Sequence, residues 1–166
     1  CVELFSSIDG RSRIVCSIRI RATAIPRTKH GQTKADYMKP LDFSHDYILE
    51  NDRVLLRPLQ PQDFDILKEF AINEPNLWEY SLLSAAGEEN MKIYLDAAFA
   101  DKAKETSYPF IVFDKKTNRF VGSTRFYDYQ SKHNTVQLGY TWYGKEAQGT
   151  GLNKNCKFLM LQFAFE

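Results

Sequence analysis

The chain has 166 residues, 43% hydrophobic and 14% aromatic, with a formal net charge of +1. This is enough apolar chain for one domain with a real core, and so small a charge gives no warrant for a nucleic-acid partner. No run approaches the about 18 apolar residues of a membrane span, so a soluble, cytoplasmic protein with no membrane partner is expected.

Three cysteines, Cys1, Cys16 and Cys156, are too few and too scattered for a disulfide framework or a zinc site, and no metal is expected. Residues 1–37 carry a net charge of +4 and the rest a net −3. The first methionine is Met38, in the sequence Met38-Lys39-Pro40. The shift predicts an upstream extension over 1–37, outside a functional domain over 38–166. Residues 14–21 alternate weakly and fit a strand, but the apolar core of a signal peptide is missing.

The domain opens on a short apolar run, residues 53–59, ended by Pro58, as suits a strand near a sheet edge. Pro61 and Asp63 signal a helix start, and Phe64, Leu67, Phe70 and Ala71 form its apolar face. Residues 73–76 stop it. Residues 77–87 read as a loop with Trp78, Tyr80, Leu82 and Leu83, either lining a pocket or packing beneath the loop. A second helix is expected over 88–104, with Met91, Tyr94, Leu95, Ala98 and Phe99 in the core. Strands follow over 108–113, 120–127 and 135–143, the first two a hairpin across a polar turn. The order is α+β, without strict βαβ alternation.

The last segment, residues 137–166, combines an aromatic strand, a glycine turn and a long apolar helix. Glycine admits close approach of a ligand to the main chain, and the first amides of a helix hold anionic oxygens. Gln148, Gly149, Thr150, Gly151, Leu152 and Asn153 therefore predict a site for a phosphorylated cofactor. Gly144 and Gly149 have P-loop spacing, but Thr150 stands where Lys is required. The dinucleotide fingerprint fails at Lys154, where its third glycine belongs.

Residues 146–151, Glu-Ala-Gln-Gly-Thr-Gly, resemble motif A of the GNAT superfamily of N-acetyltransferases, Gln/Arg-x-x-Gly-x-Gly/Ala, and match both glycines. Glu146 departs from the usual first residue. The strand from Gln137 and the residues Leu56, Arg57, Pro58 and Leu59 resemble the RimJ/RimL-like branch. The resemblance implies a GNAT-like mixed sheet flanked by helices, with the last third of the fold missing beyond residue 166. It implies acetyl-coenzyme A as acyl donor and a primary amine as acceptor, a protein N-terminus or a small amine.

Acetyl transfer requires a neutral amine and donors for a developing oxyanion. The resemblance gives the main chain of Tyr140, Thr141, Trp142 and Tyr143 to the pantetheine arm, and the turn through Asn153 and Lys154 to the pyrophosphate. Gln137 stands where related enzymes carry Glu; an amide has no basic lone pair at neutral pH, so it orients a water or the acceptor. Tyr140 is the second catalytic candidate. His30, His45 and His133 are given no role, and Arg57 and Arg125 read as surface or structural charges. Cys156 reads as a buried thiol within the helix.

The final helix has two apolar stripes: Leu152, Cys156, Leu159, Met160 and Phe163, and Phe158, Leu161 and Phe165. A face left uncovered predicts partner-seeking, a homodimer being one form of it. The alternative to an enzyme is a non-catalytic acyl-CoA-binding module, favoured by Gln137, with an unrelated phosphate-binding domain as a third reading.

Overall fold

The computed structural model describes the backbone of residues 2–9, 13–21, 40–79, 81 and 83–165, and side chains from residue 40 onward within that set. The expectations placed on His30, Met38, Tyr80 and Leu82 fall outside it. The strands are β1 (Val2–Asp9), β2 (Arg13–Arg21), β3 (Leu49–Glu50), β4 (Val54–Pro58), β5 (Tyr108–Asp114), β6 (Arg119–Gln130) and β7 (Thr135–Tyr143). The helices are α1 (Phe64–Asn73), α2 (Glu88–Ala103) and α3 (Leu152–Phe165).

One sheet runs in the order β1-β2-β7-β6-β5-β4-β3. Strands β3 to β7 form a five-stranded antiparallel sheet with flanking helices, the sheet-and-helix layout that the GNAT resemblance implies. The parallel pair of a mixed sheet is not among the described pairings, all of which are antiparallel. Local chain geometry explains this. The connections β5–β6 and β6–β7 are hairpin-length, too short for the crossover that parallel neighbours need. Asn118 and Asn134 occupy left-handed positions in those two turns, a conformation Asn tolerates.

Part of the segment expected upstream of the domain runs along this sheet as a terminal hairpin. Its second strand, β2, pairs with the first half of β7, Ile18 opposite Leu138 and Arg21 opposite Thr135.

The helices divide between the two faces. On one, Leu152, Cys156, Leu159 and Met160 of α3 pack on Val54, Leu56, Phe110, Phe126 and Leu138. On the other, Leu67 and Ala71 of α1 and Met91, Tyr94, Leu95 and Ala98 of α2 pack around Ile111 and Trp142. Phe99 is only partly buried at its edge. The first stripe of α3 is covered, Phe163 partly, while on the second Phe158 is 61% exposed and Phe165 also faces out.

Trp78 is buried against Trp142, their ring centroids 5.2 Å apart, so this loop aromatic packs beneath the loop. Among the described residues no helix is long and apolar enough to cross a membrane.

Candidate functional site

The site grows out of β7, which carries an irregularity in its middle. Ser123 pairs with Trp142 and Arg125 with Gly139, so one step of two residues on β6 faces a step of three on β7. The surplus residue makes a β-bulge, and Tyr140 takes φ +50° within it. A second irregularity of the opposite sense lies on β6, where residues 127–130 face 135–137 and Asp128 has φ +50°. The two bulges bracket the short segment that presents Gln137 and Gly139.

Left-handed backbone at a tyrosine is unfavourable by about 1–2 kcal/mol and persists only where the surroundings impose it. Three contacts impose it here. Tyr94 of α2 donates its hydroxyl hydrogen to the Tyr140 carbonyl at 3.3 Å. The Arg125 guanidinium lies over the Tyr140 ring, 4.1 Å from its centroid. The Tyr127 ring meets that of Tyr140 edge-on at 5.1 Å. Gly139 makes room for this cluster, since a Cβ there would lie 2.7 Å from the Tyr127 ring.

Gln137 is held at both ends of its amide. Tyr127 Oη donates to its Oε1 at 2.9 Å, and its Nε2 donates to Asp128 Oδ2 at 2.5 Å. Nothing in the sequence pairs Gln137 with Asp128 directly; the bulge on β6 brings them together. On the opposite face, Lys157 of α3 donates to Thr141 Oγ1 at 2.7 Å, and Thr124 Oγ1 lies 2.7 Å from the same oxygen. The far half of β7 is thereby tied to α3.

After β7 the chain turns through residues 145–147 into α3. Glu74, just past the end of α1, accepts the Lys145 amide at 2.8 Å, and Gln148 Nε2 donates back to the Tyr143 carbonyl at 2.9 Å. Thr150 Oγ1 donates to the Ala147 carbonyl at 2.7 Å and faces Arg53 Nη2 at 3.5 Å. Arg53 is itself paired with Asp114. Gly149 and Gly151 sit at φ +71° and +82°, with open space where a Cβ would stand. Asn155 N–H bonds the Gly151 carbonyl, so the amides of Leu152, Asn153 and Lys154 precede the first turn's hydrogen bonding. Amides without an intrahelical partner at a helix start are suited to hydrogen-bond anionic oxygens.

The predicted site residues thus fall into groups. Gln148, Gly149, Thr150 and Gly151 form the turn, while Asn153 and Lys154 stand exposed on the first helical turn. Asn153 Oδ1 accepts from Tyr143 Oη at 3.3 Å. The side chains of Trp142, Tyr143 and Leu152 are buried in the core, and the Tyr143 carbonyl already accepts from Gln148. Gln137 and Tyr140 lie together near the bulge, Tyr140 45% exposed. Arg57 is bound to Asp63, but Arg125, read as a surface or structural charge, is only 2% exposed and stacked against Tyr140.

Cys156 is buried, and burial pushes its thiol up from the usual value, against lesser lowering from the Tyr143 hydroxyl and Lys157. The Tyr143 phenol is likewise raised, first by burial and then by Cys156 beside it. Neither is poised as a nucleophile at neutral pH. Among the described residues no group of His, Cys, Asp and Glu could hold a metal ion.

Residues 53–166 match the family profile of the acetyltransferase (GNAT) domain. No curated protein matches the chain. Solved structures resemble it at low identity. A GCN5-related N-acetyltransferase from Brucella melitensis is 18% identical with a TM-score of 0.63; the alignment covers 78% of this chain and 57% of that one. A probable GNAT-family acetyltransferase from Chromobacterium violaceum gives 16% identity, a TM-score of 0.64 and coverage of 86% and 70%. The apo form of RimL, a ribosomal L7/L12 alpha-N-protein acetyltransferase, gives 16%, 0.56, 86% and 70%. The chain therefore spans little more than half of the Brucella protein's length.

Proposed function

Because the chain belongs to the GNAT acetyltransferase domain family, we propose that it transfers an acetyl group from acetyl-coenzyme A to a primary amine, in the manner of the RimJ/RimL-like branch. The observation that carries this reading is the continuity of the bulged strand β7 with a helix start lined by two left-handed glycines. RimL, whose fold it shares, is a ribosomal-protein N-acetyltransferase, which supports a protein N-terminus as acceptor; a small amine is the other class.

The residues fit the donor. Open space at Gly149 and Gly151 admits a pyrophosphate to the main chain, and the amides of Leu152, Asn153 and Lys154 supply hydrogen bonds to it. When bound, acetyl-coenzyme A supplies the acyl group activated as a thioester. The main chain from Tyr140 to Tyr143 lies along the strand that would accompany its arm, and Gln137 and Tyr140 face the acceptor side. Gln137 cannot take a proton; it orients the acceptor or a water through an amide fixed by Tyr127 and Asp128.

Acetyl-coenzyme A consumption with a panel of free-N-terminal peptides and small amines tests this. Amine-dependent release of the free thiol supports the enzyme. Tight binding of acetyl-coenzyme A with no turnover supports the second reading, an acyl-CoA-binding module. That reading draws on Gln137, whose amide is already engaged at both ends.

We also assign function to residues 38–166, with the terminal hairpin an addition at the β7 edge. A chain starting at Met38 that folds and binds the donor unchanged supports this, and loss of the cooperative transition contradicts it. A cytoplasmic setting and a homodimer through the exposed α3 face are part of the same proposal; sedimentation of Phe158→Gln beside the native chain tests the dimer.

A further inference from the structure

The arginines of the sheet are treated differently. Arg53 is paired with Asp114, and Arg57 forms a two-pronged ion pair with Asp63 at 2.9 and 2.6 Å. Arg125 is more deeply buried than either, 2% exposed, yet it has no carboxylate partner among the described residues, and its Nε makes no hydrogen bond. Its charge rests instead on two tyrosine faces, Tyr94 at 4.8 Å and Tyr140 at 4.1 Å. Cation–π stacking holds a cation without neutralising it. Its register places it opposite Gly139, against the bulge where Tyr140 turns.

We propose that Arg125 is an uncompensated buried cation whose field favours the neutral acceptor amine and the developing oxyanion during acetyl transfer. It acts through space, as a positioning residue behind Tyr140. The inference rests on the acetyl-transfer reading above and adds to it the source of the electrostatic bias that Gln137, an amide, cannot give. The groups recorded directly against it carry no negative charge. From α2 it meets Tyr94, from β7 Tyr140, and from β5 its partner is Pro109. The one carboxylate on its own strand is Asp128, whose oxygens accept from Gln130 and Gln137. A positive charge in a poorly hydrated site disfavours a second one nearby, so a bound ammonium loses its proton more readily. The same field stabilises negative charge appearing on the acyl oxygen.

The test is kcat against pH with saturating acetyl-coenzyme A and a peptide with a free N-terminal amine, for the native chain, Arg125→Lys and Arg125→Met. The acid limb of kcat reports the group that must lose its proton in the complex. Arg125→Met is expected to move that limb up by about one pH unit and to lower kcat roughly tenfold at neutral pH, and Arg125→Lys to restore the limb. The thermal shift induced by acetyl-coenzyme A should be the same in all three. A lowered kcat with an unmoved limb means that Arg125 only packs Tyr140, and overturns the inference alone. If Arg125→Met has no cooperative unfolding transition, Arg125→Gln makes the same comparison with a planar, hydrogen-bonding, uncharged end. A native chain that turns over no amine of the panel overturns the acetyl-transfer reading and this inference with it.

Discussion

The two faces of the sheet bury the same kinds of residue but treat polar atoms differently. On the α3 face, Thr124 finds Thr141 and the Tyr143 hydroxyl finds Asn153. On the α1/α2 face lie all three buried side-chain atoms without a partner among the described residues: Trp78 Nε1, Trp142 Nε1 and Arg125 Nε. Each such atom is unfavourable by about 1–3 kcal/mol. Among the described residues, that cost falls on the α1/α2 face, and no buried side-chain nitrogen or oxygen of the α3 face lacks a partner. Both faces carry a hydrophobic core, but only the α1/α2 face also holds the strained, polar segment around Tyr140.

The largest break in that contrast should come from the α3 face. Phe110→Ala removes a fully buried ring between Tyr108 and Phe126 and is expected to destabilise by about 3–5 kcal/mol in denaturant unfolding. Trp142→Phe on the other face removes an unpaired N–H along with some volume, and should change stability by about 1.5 kcal/mol or less.

Next is Asp63→Ala. It leaves Arg57 unpaired and the Gln60 amide without its acceptor, for a loss of about 2–3 kcal/mol. The full cost of a buried pair is not reached because Arg57 is partly exposed.

Gly151→Val should cost about 1–2 kcal/mol, from its left-handed backbone alone, since a side chain there meets nothing. Its loss of acetyl-coenzyme A affinity should exceed its loss of stability, because the new side chain fills the ligand's space.

The smallest effect concerns pH. Burial raises Cys156 above its usual value of 9.0, and Tyr143 beside it is raised too. A raised folded-state value means that the stability contribution is complete below the unfolded value and is lost as pH climbs towards the folded one. The unfolding midpoint should therefore fall once pH passes about 9, and Cys156→Ala should make that fall shallower.

Much of the frame could be read from residue order. The turn composition around Asn118 and Asn134 set the antiparallel hairpins, and the helix start at Pro61 and the two stripes of α3 lie where periodicity puts them. The strand β6 runs to Gln130, three residues beyond the expected end, because its bulge lets pairing continue past Asp128. The bulges themselves were not legible. Alternation tells which residues share a face but not where one strand takes an extra residue against its neighbour.

Arg125 escaped for a related reason. Its partners, Tyr94 and Tyr140, come from a helix and a strand distant in sequence, and an arginine in a strand looks solvated until both are placed. The turn at Gly149 and Gly151 was legible because positive φ is a local demand that glycine announces. The sequence marks Gln137 by its place on the strand but carries no sign of Asp128 beside it.

Binding of the donor at the turn is the central claim, and thermal unfolding of the whole chain with excess acetyl-coenzyme A tests it most directly. At about 100 times its dissociation constant, a ligand specific for the native state adds roughly 2.7 kcal/mol. A clear rise in the midpoint for the native chain, lost in Gly149→Val and Gly151→Val while their own cooperative transitions persist, is the result this structure predicts. A cooperative transition that ignores the ligand, or a rise that survives both substitutions, would contradict it.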